Sequence, residues 1–326
     1  MMSPPAAFTP KEDRPSWMIA AVAAAVMSIL AVLGVIIGLS TKRQTVSDKR
    51  IAVVQNTPAP TPEFAVRVLE FGDKGMGPGQ FQDPRTVAVD GDGKIYVGES
   101  SGRVQVFNSK GKFITQWINE GKDILTKLAA DRNGNLYLMY FDSIVRYDGA
   151  TGKRLGVIAG NRSAPYDDVT AALDGSLYVI AENSHILQIG ADGRIRKNID
   201  VAQKTGEDTM LNRLAVDGTG QIYGFGRTVK TIFRFAPDGR YLNRFGGGGV
   251  GPGEFGDLSP EGIGVDTQGR IYVNDGNLGI KVFDGSGRYL DTFGDKNRVS
   301  AIMVDERNEI FVVESPKIIK YALSKP

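Results

Sequence analysis

The chain has 326 residues, 41% of them apolar, with 39 Lys and Arg against 37 Asp and Glu, one histidine and no cysteine. That is enough apolar material for a large core, and it excludes a cysteine-linked lipid anchor and a metal site built from several histidines. A net charge of +2 gives no footing for a partner as anionic as nucleic acid.

Residues 1–16 read as a short tail. Residues 15–41 carry no charge, and WMIAAVAAAVMSILAVLGVIIGLS at 17–40 exceeds the roughly 20 apolar residues that span a bilayer, which predicts a transmembrane helix over 17–40. A cleaved signal peptide has an apolar core of only about 7–15 residues followed by small residues. Here the small residues come early and the apolar run continues, so an uncleaved single-pass anchor is expected. Residues 41–65, with NTPAPTP at 56–62, read as an extended tether. Lys11 and Arg14 precede the span and Lys42, Arg43, Lys49 and Arg50 follow it, a bias that on its own places the following domain in the cytoplasm. Short N-terminal tails usually stay inside, however, and a Pro/Thr tether suits a domain held off a membrane, so the expectation is extracytoplasmic. Beyond residue 61 the chain has 33 basic and 34 acidic residues, so no nucleic-acid partner is expected of this part.

From residue 66 to 326 one phrase recurs: GKIYV at 93–97, GNLYL at 134–138, GSLYV at 175–179, GQIYG at 220–224, GRIYV at 269–273 and NEIFV at 308–312. Its aromatic anchors, Tyr96, Tyr137, Tyr178, Tyr223, Tyr272 and Phe311, are 41, 41, 45, 49 and 39 residues apart. Such a period marks repeated supersecondary units that bury their apolar faces only against one another. Within the first copy, VAVD, KIYVG, RVQVF and KFITQW are short alternating runs separated by Asp, Asn and Gly turns. Four strands per copy predict a propeller blade. The sixth copy lacks a fourth strand, whereas RVLEFG at 67–72 stands alone before the first. The expected fold is therefore an all-β, six-bladed β-propeller of four-stranded antiparallel blades, the N-terminal strand closing the last blade, preceded by one transmembrane α-helix.

The leader FGDKGMGPGQF at 71–81, followed by DPRTVAVDGDGKIYVGES, resembles the NHL repeat, and FGGGGVGPGEF at 245–255 repeats it at the same length. The resemblance spans roughly 66–323. It is weaker in copies two, three and four, which lack the leader, and copy three has Ala172 where others place Asp90, Asp131, Asp217, Asp266 and Asp305. The glycines are not a dinucleotide fingerprint, because no helix follows them.

In a propeller, loops joining successive blades share a face with loops between second and third strands, and that rim surrounds the channel mouth. Aligning first strands places Arg85, Thr126, Asp167, Asn212, Glu261 and Ser300 at the mouth, then Thr86, Lys127, Asp168, Arg213, Gly262 and Ala301. Loops after second strands add Glu99, Tyr140, His185, Arg227, Asp275, Asn277 and Glu314. From these, Arg85, Glu99, Lys127, Asp168, His185, Arg213, Arg227, Glu261, Asp275 and Asn277 are the candidate binding residues, a two-signed set suited to a polar or peptide-like partner.

The resemblance to six-bladed propellers implies two enzymatic alternatives. A lyase with a histidine-held metal is excluded by the single His185. A calcium-dependent lactonase or hydrolase would take hard oxygen ligands from Glu99, Asn212, Glu261, Asp275 and Glu314, although Arg85 and Arg213 beside them oppose a dication. No G-x-S-x-G nucleophile elbow is present. The leading expectation is a non-catalytic protein-binding or scaffolding module with no cofactor. A further alternative is an accessory subunit of a membrane complex, its helix making close contacts through the alanines at 20–25.

Overall fold

The computed structural model describes residues 63–119, 124–160 and 165–324. The expected anchor at 17–40 and the tether up to residue 62 lie outside the described residues. Among the described residues, no helix is long and apolar enough to cross a membrane.

Six four-stranded antiparallel sheets form the blades of a propeller. The first blade runs Pro84–Val89, Ile95–Glu99, Arg103–Phe107 and Phe113–Ile118. Its second and third strands are buried at every position, because a neighbouring blade covers each of their faces. Its fourth strand alternates half-buried with exposed, as a strand with one solvated face must. The core is correspondingly divided into six clusters, each lying between two successive blades. One joins the fifth and sixth blades through Tyr272, Ile280, Val282, Val312, Ile319 and Tyr321.

The ring closes as the sequence predicts. Ala65–Phe71 pairs antiparallel with Lys317–Leu323, Ala65 opposite Leu323 and Phe71 opposite Ile318. This supplies the fourth strand that the sixth copy lacks, so no blade is left with three strands.

The recurring phrase has a physical content that spacing alone does not reveal. At five of the six first hairpins an aspartate follows the inner strand, and its Oδ1 accepts backbone N–H groups of the turn. Asp266 takes those of Gln268 and Arg270 at 2.9 and 2.8 Å. The other oxygen accepts the hydroxyl of the tyrosine six residues on: Tyr96 on Asp90 at 2.8 Å, Tyr137 on Asp131 at 3.1 Å, Tyr223 on Asp217 at 3.1 Å and Tyr272 on Asp266 at 2.8 Å. Burial and the adjacent carboxylate push these phenols upward, Tyr137 to about 12. The third blade, with Ala172, caps its turn from Asp174 instead, which accepts from the Ser176 N–H at 2.9 Å. The long spacings also have causes. A short helix, Val201–Thr205, capped by Asp200 and ended by Gly206, occupies the junction before the fourth blade. The second leader fills the junction before the fifth.

Asp266→Ala removes the turn acceptors and the tyrosine's partner together, and is expected to cost about 3 kcal/mol, against about 1 kcal/mol for Tyr272→Phe. Urea denaturation followed by circular dichroism measures both, and equal costs would show that the turn bonds contribute nothing.

Candidate functional site at the channel mouth

The inner strands Pro84–Val89, Lys127–Ala130, Tyr166–Ala171, Leu211–Val216, Ile263–Val265 and Ala301–Val304 surround the central channel. Their register brings six residues to one level. Thr86, Lys127, Asp168, Arg213 and Ala301 lie opposite Gly98, Met139, Ile180, Phe225 and Val313, and the Gly262 carbonyl accepts from the N–H of Asn274. Each of these partners lies two residues beyond the aromatic anchor of its blade.

The level is charged on one side and small on the other. Thr86 Oγ1 accepts the Leu128 N–H at 3.2 Å and Asp168 Oδ2 accepts that of Leu214 at 2.8 Å, so both side chains stitch one blade to the next. Lys127 Nζ donates to the Glu261 carbonyl at 3.1 Å, which joins the second blade to the fifth across the channel. Arg213 pairs with the Glu261 carboxylate. Burial lowers the Lys127 pKa to about 8, the charge of Arg213 adding to the shift while Asp168 and Glu261 oppose it. Below this level lies a cavity of about 350 Å³, walled by residues that include Ala171, Val216, Val265 and Met303.

Lys127, Asp168, Arg213 and Glu261 thus come together. Glu99 and Asp275 do not join them: both are buried in their own blades. Glu99 pairs with Arg103, and its Oε1 accepts the N–H groups of Gln82 and Asp83 at 2.6 and 3.2 Å. Arg103 in turn donates to the carbonyls of Met76 and Gln80 at 2.6 and 2.9 Å. Asp275 repeats the device, paired with Lys281 at 2.8 Å and accepting the Gly256 N–H at 2.9 Å, while Lys281 reaches the Glu254 carbonyl.

Each glycine-rich leader is therefore pinned by a buried ion pair beneath it. The leaders fold alike: Gly75 N–H donates to Phe81 O at 3.0 Å and Gly249 N–H to Phe255 O at 2.9 Å. A Cβ on Gly249 would lie 2.0 Å from Glu254 Oε2, and one on Gly75 2.3 Å from Gln80 Oε1. The remaining candidates are dispersed around the rim. Arg85 is exposed and pairs with Asp83 at 2.9 Å, Arg227 and Asn277 are exposed, and a His185 ring nitrogen meets Asn198 Oδ1 at 2.9 Å. Asn212 donates to the Pro260 carbonyl at 3.4 Å. Glu314 accepts from Asn297 at 3.1 Å, and burial raises its pKa.

What the sequence reading missed on this face is apolar. Met76 (70% exposed), Phe141 (68%) and Val250 (86%) stand on mouth-face loops, as do Ile124, Met210 and Leu258. A large apolar residue set among glycines and polar residues, as in GVGPG at 249–253, is the signal that would have found them.

No family model matches the chain, and no curated protein does. Solved structures do match. A protein of unknown function from Bacteroides thetaiotaomicron is 17% identical with a TM-score of 0.60, covering 78% of this chain and 73% of its own. A gluconolactonase from Xanthomonas campestris is 18% identical with a TM-score of 0.55, at 74% and 87% coverage. A streptogramin B lyase is 12% identical, also at 0.55, with 81% and 97% coverage. At these identities the likeness shows the fold alone, a six-bladed propeller with neighbours of the lactonase and lyase type.

The residues considered for calcium do not fit that ion. Glu99 and Asp275 neutralise Arg103 and Lys281 in different blades, Glu261 is paired with Arg213, and the Lys127 ammonium stands at the mouth where a dication would have to sit.

Glu99→Gln leaves Arg103 buried without its counter-charge and is expected to cost about 3 kcal/mol. Thermal denaturation checks this, since a rim residue would tolerate the change. Because Lys127 is held below its unfolded value of 10.5, the unfolded chain binds the extra proton above pH 8, and stability should rise from pH 8 to about pH 9.5, before tyrosine ionisation intervenes. Denaturation midpoints across that range should lose the rise in Lys127→Met.

Proposed function

We propose that the protein is a non-catalytic binding module, anchored to a membrane through residues 17–40, that holds a protein partner on its channel-mouth face. The observation that carries this reading is the set of exposed apolar side chains on that face: Met76, Ile124, Phe141, Met210, Val250 and Leu258. They come from the junctions before the first, second, fourth and fifth blades and from the loop after the second strand of the second. Loop tips of this kind are spent on water unless a partner covers them, and Met, Phe and Arg are enriched in protein interfaces. Arg85 and Arg227, exposed on the same face, supply a polar rim.

Two carboxylates that metal chemistry would need are committed elsewhere, Glu261 to Arg213 and Glu99 to Arg103. The chain enters the propeller at Ala65, whose strand starts on the face opposite the apolar tips. An accessory subunit of a membrane complex is the same reading with a membrane protein as the partner.

A photo-crosslinking side chain placed at Phe141 or Val250 of the anchored protein should trap one partner at a stoichiometric yield, and one placed at Asp238 on the opposite face should not. The double change Phe141→Asp with Val250→Asp should weaken that partner at least tenfold without lowering Tm. Equal trapping from both faces, or an unchanged affinity, would remove the basis of the reading.

A further inference from the structure

The rim accounts for the loops but not for the cavity beneath Lys127, and a separate observation bears on it. Among the described residues, the cations of the cavity wall are paired with carboxylates, with one exception. At the far end Arg132 pairs with Glu306 and Arg307 with Asp305, at 3.1 Å for the latter. Asp90, Asp131 and Asp266 accept tyrosine hydroxyls and turn N–H groups. Lys127 has no carboxylate oxygen within 4.0 Å among the described residues. Its ammonium carries three donors, and among the described residues one of them is used, on a neutral carbonyl across the channel. A half-buried cation with so little compensation gains when an anion reaches it.

Opposite Lys127 at the same level stand Gly262, whose missing side chain lets Ile302 of the next blade pack against it, and Ala301, a small side chain. Below it the wall passes Ala171, Val216, Val265 and Met303. The volume of about 350 Å³ falls in the range of small-molecule sites, which run from roughly 300 to 1,000 Å³.

We propose that the channel binds a small aliphatic carboxylate, its anionic end on the Lys127 ammonium and its apolar end along the wall below. The carboxylate takes the two N–H donors that the Glu261 carbonyl leaves over. Arg213 reinforces the attraction through its charge. Asp168, one oxygen of which is spent on the Leu214 N–H, opposes it, as does Glu261 to the extent that Arg213 leaves it unneutralised. This site is independent of the apolar rim, so a rim that binds nothing would leave it standing.

The full-length protein in lipid nanodiscs, titrated calorimetrically with acetate, butyrate, butyramide and butylammonium at pH 7, tests the assignment. Butyrate should bind once per chain, roughly tenfold tighter than acetate for its two further methylenes, and the amide and the ammonium should not bind. Lys127→Met should weaken butyrate at least tenfold. Asp168→Asn, which keeps an acceptor for the Leu214 N–H while removing the opposing charge, should tighten it several-fold. In lysine-labelled NMR spectra butyrate should move the Lys127 titration to higher pH, and its affinity should fall as pH rises through that titration. Absence of saturable binding, equal binding of butyramide or butylammonium, or butyrate binding that survives Lys127→Met would each overturn the proposal.

Discussion

Everything in this molecule depends on one antiparallel ladder, the pairing of Ala65–Phe71 with Lys317–Leu323. A propeller blade has no core of its own, because its apolar faces are covered by the blades on either side. The six clusters between blades exist as a closed set only if the sixth meets the first. Phe81, Val87, Ile95 and Phe107 of the first blade pack with Phe311, Val313 and Ile318 of the sixth. Without the N-terminal strand the last blade would present an unpaired edge at that junction.

Within the ring, charge is used in two different ways. Each repeated aspartate organises its own turn, and Asp90, Asp131, Asp217 and Asp266 also receive a tyrosine hydroxyl, which ties the inner hairpin to the phrase that defines the repeat. The pairs Glu99 with Arg103 and Asp275 with Lys281 occur in the two blades that carry glycine-rich leaders, and they hold those leaders down from beneath. At the channel mouth a third pattern appears, in which Lys127 and Arg213 reach Glu261 from other blades. In the second pattern each buried charge faces its opposite. The third leaves a cation under-matched, and for that reason it is the place where the fold has something left to bind.

The blades were legible because period and alternation are local properties: Tyr96, Tyr137, Tyr178, Tyr223, Tyr272 and Phe311 mark them by spacing alone. The channel level was legible too, since Lys127, Asp168 and Arg213 occupy equivalent positions relative to those anchors. Burial of charge was not. Glu99 ends a second strand and Asp275 follows one, as residues entering an exposed loop do, and what buries them is a leader folded over them from the preceding junction. A correlation across copies carries that information, because a base follows each acid, Arg103 after four residues and Lys281 after six, in the two copies with leaders. The apolar tips at Phe141 and Met210 were invisible to repeat alignment because each lies in a loop that differs from blade to blade, whereas Met76 and Val250 hold the same position in the two leaders.

The direction of the closing strand has a mechanical consequence. Ala65 lies at the end of its ladder, and the strand runs from there toward the channel-mouth face, so tension on the preceding chain, resisted at that face, acts along the strand axis. Such a pull shears the whole row of hydrogen bonds between Ala65–Phe71 and Lys317–Leu323 at once, where a sideways pull would peel them one at a time. Resistance to forced opening is set by the unfolding rate under load, and shear makes that opening slow. The strand that completes the ring is thus also oriented to bear load applied through the chain that precedes it.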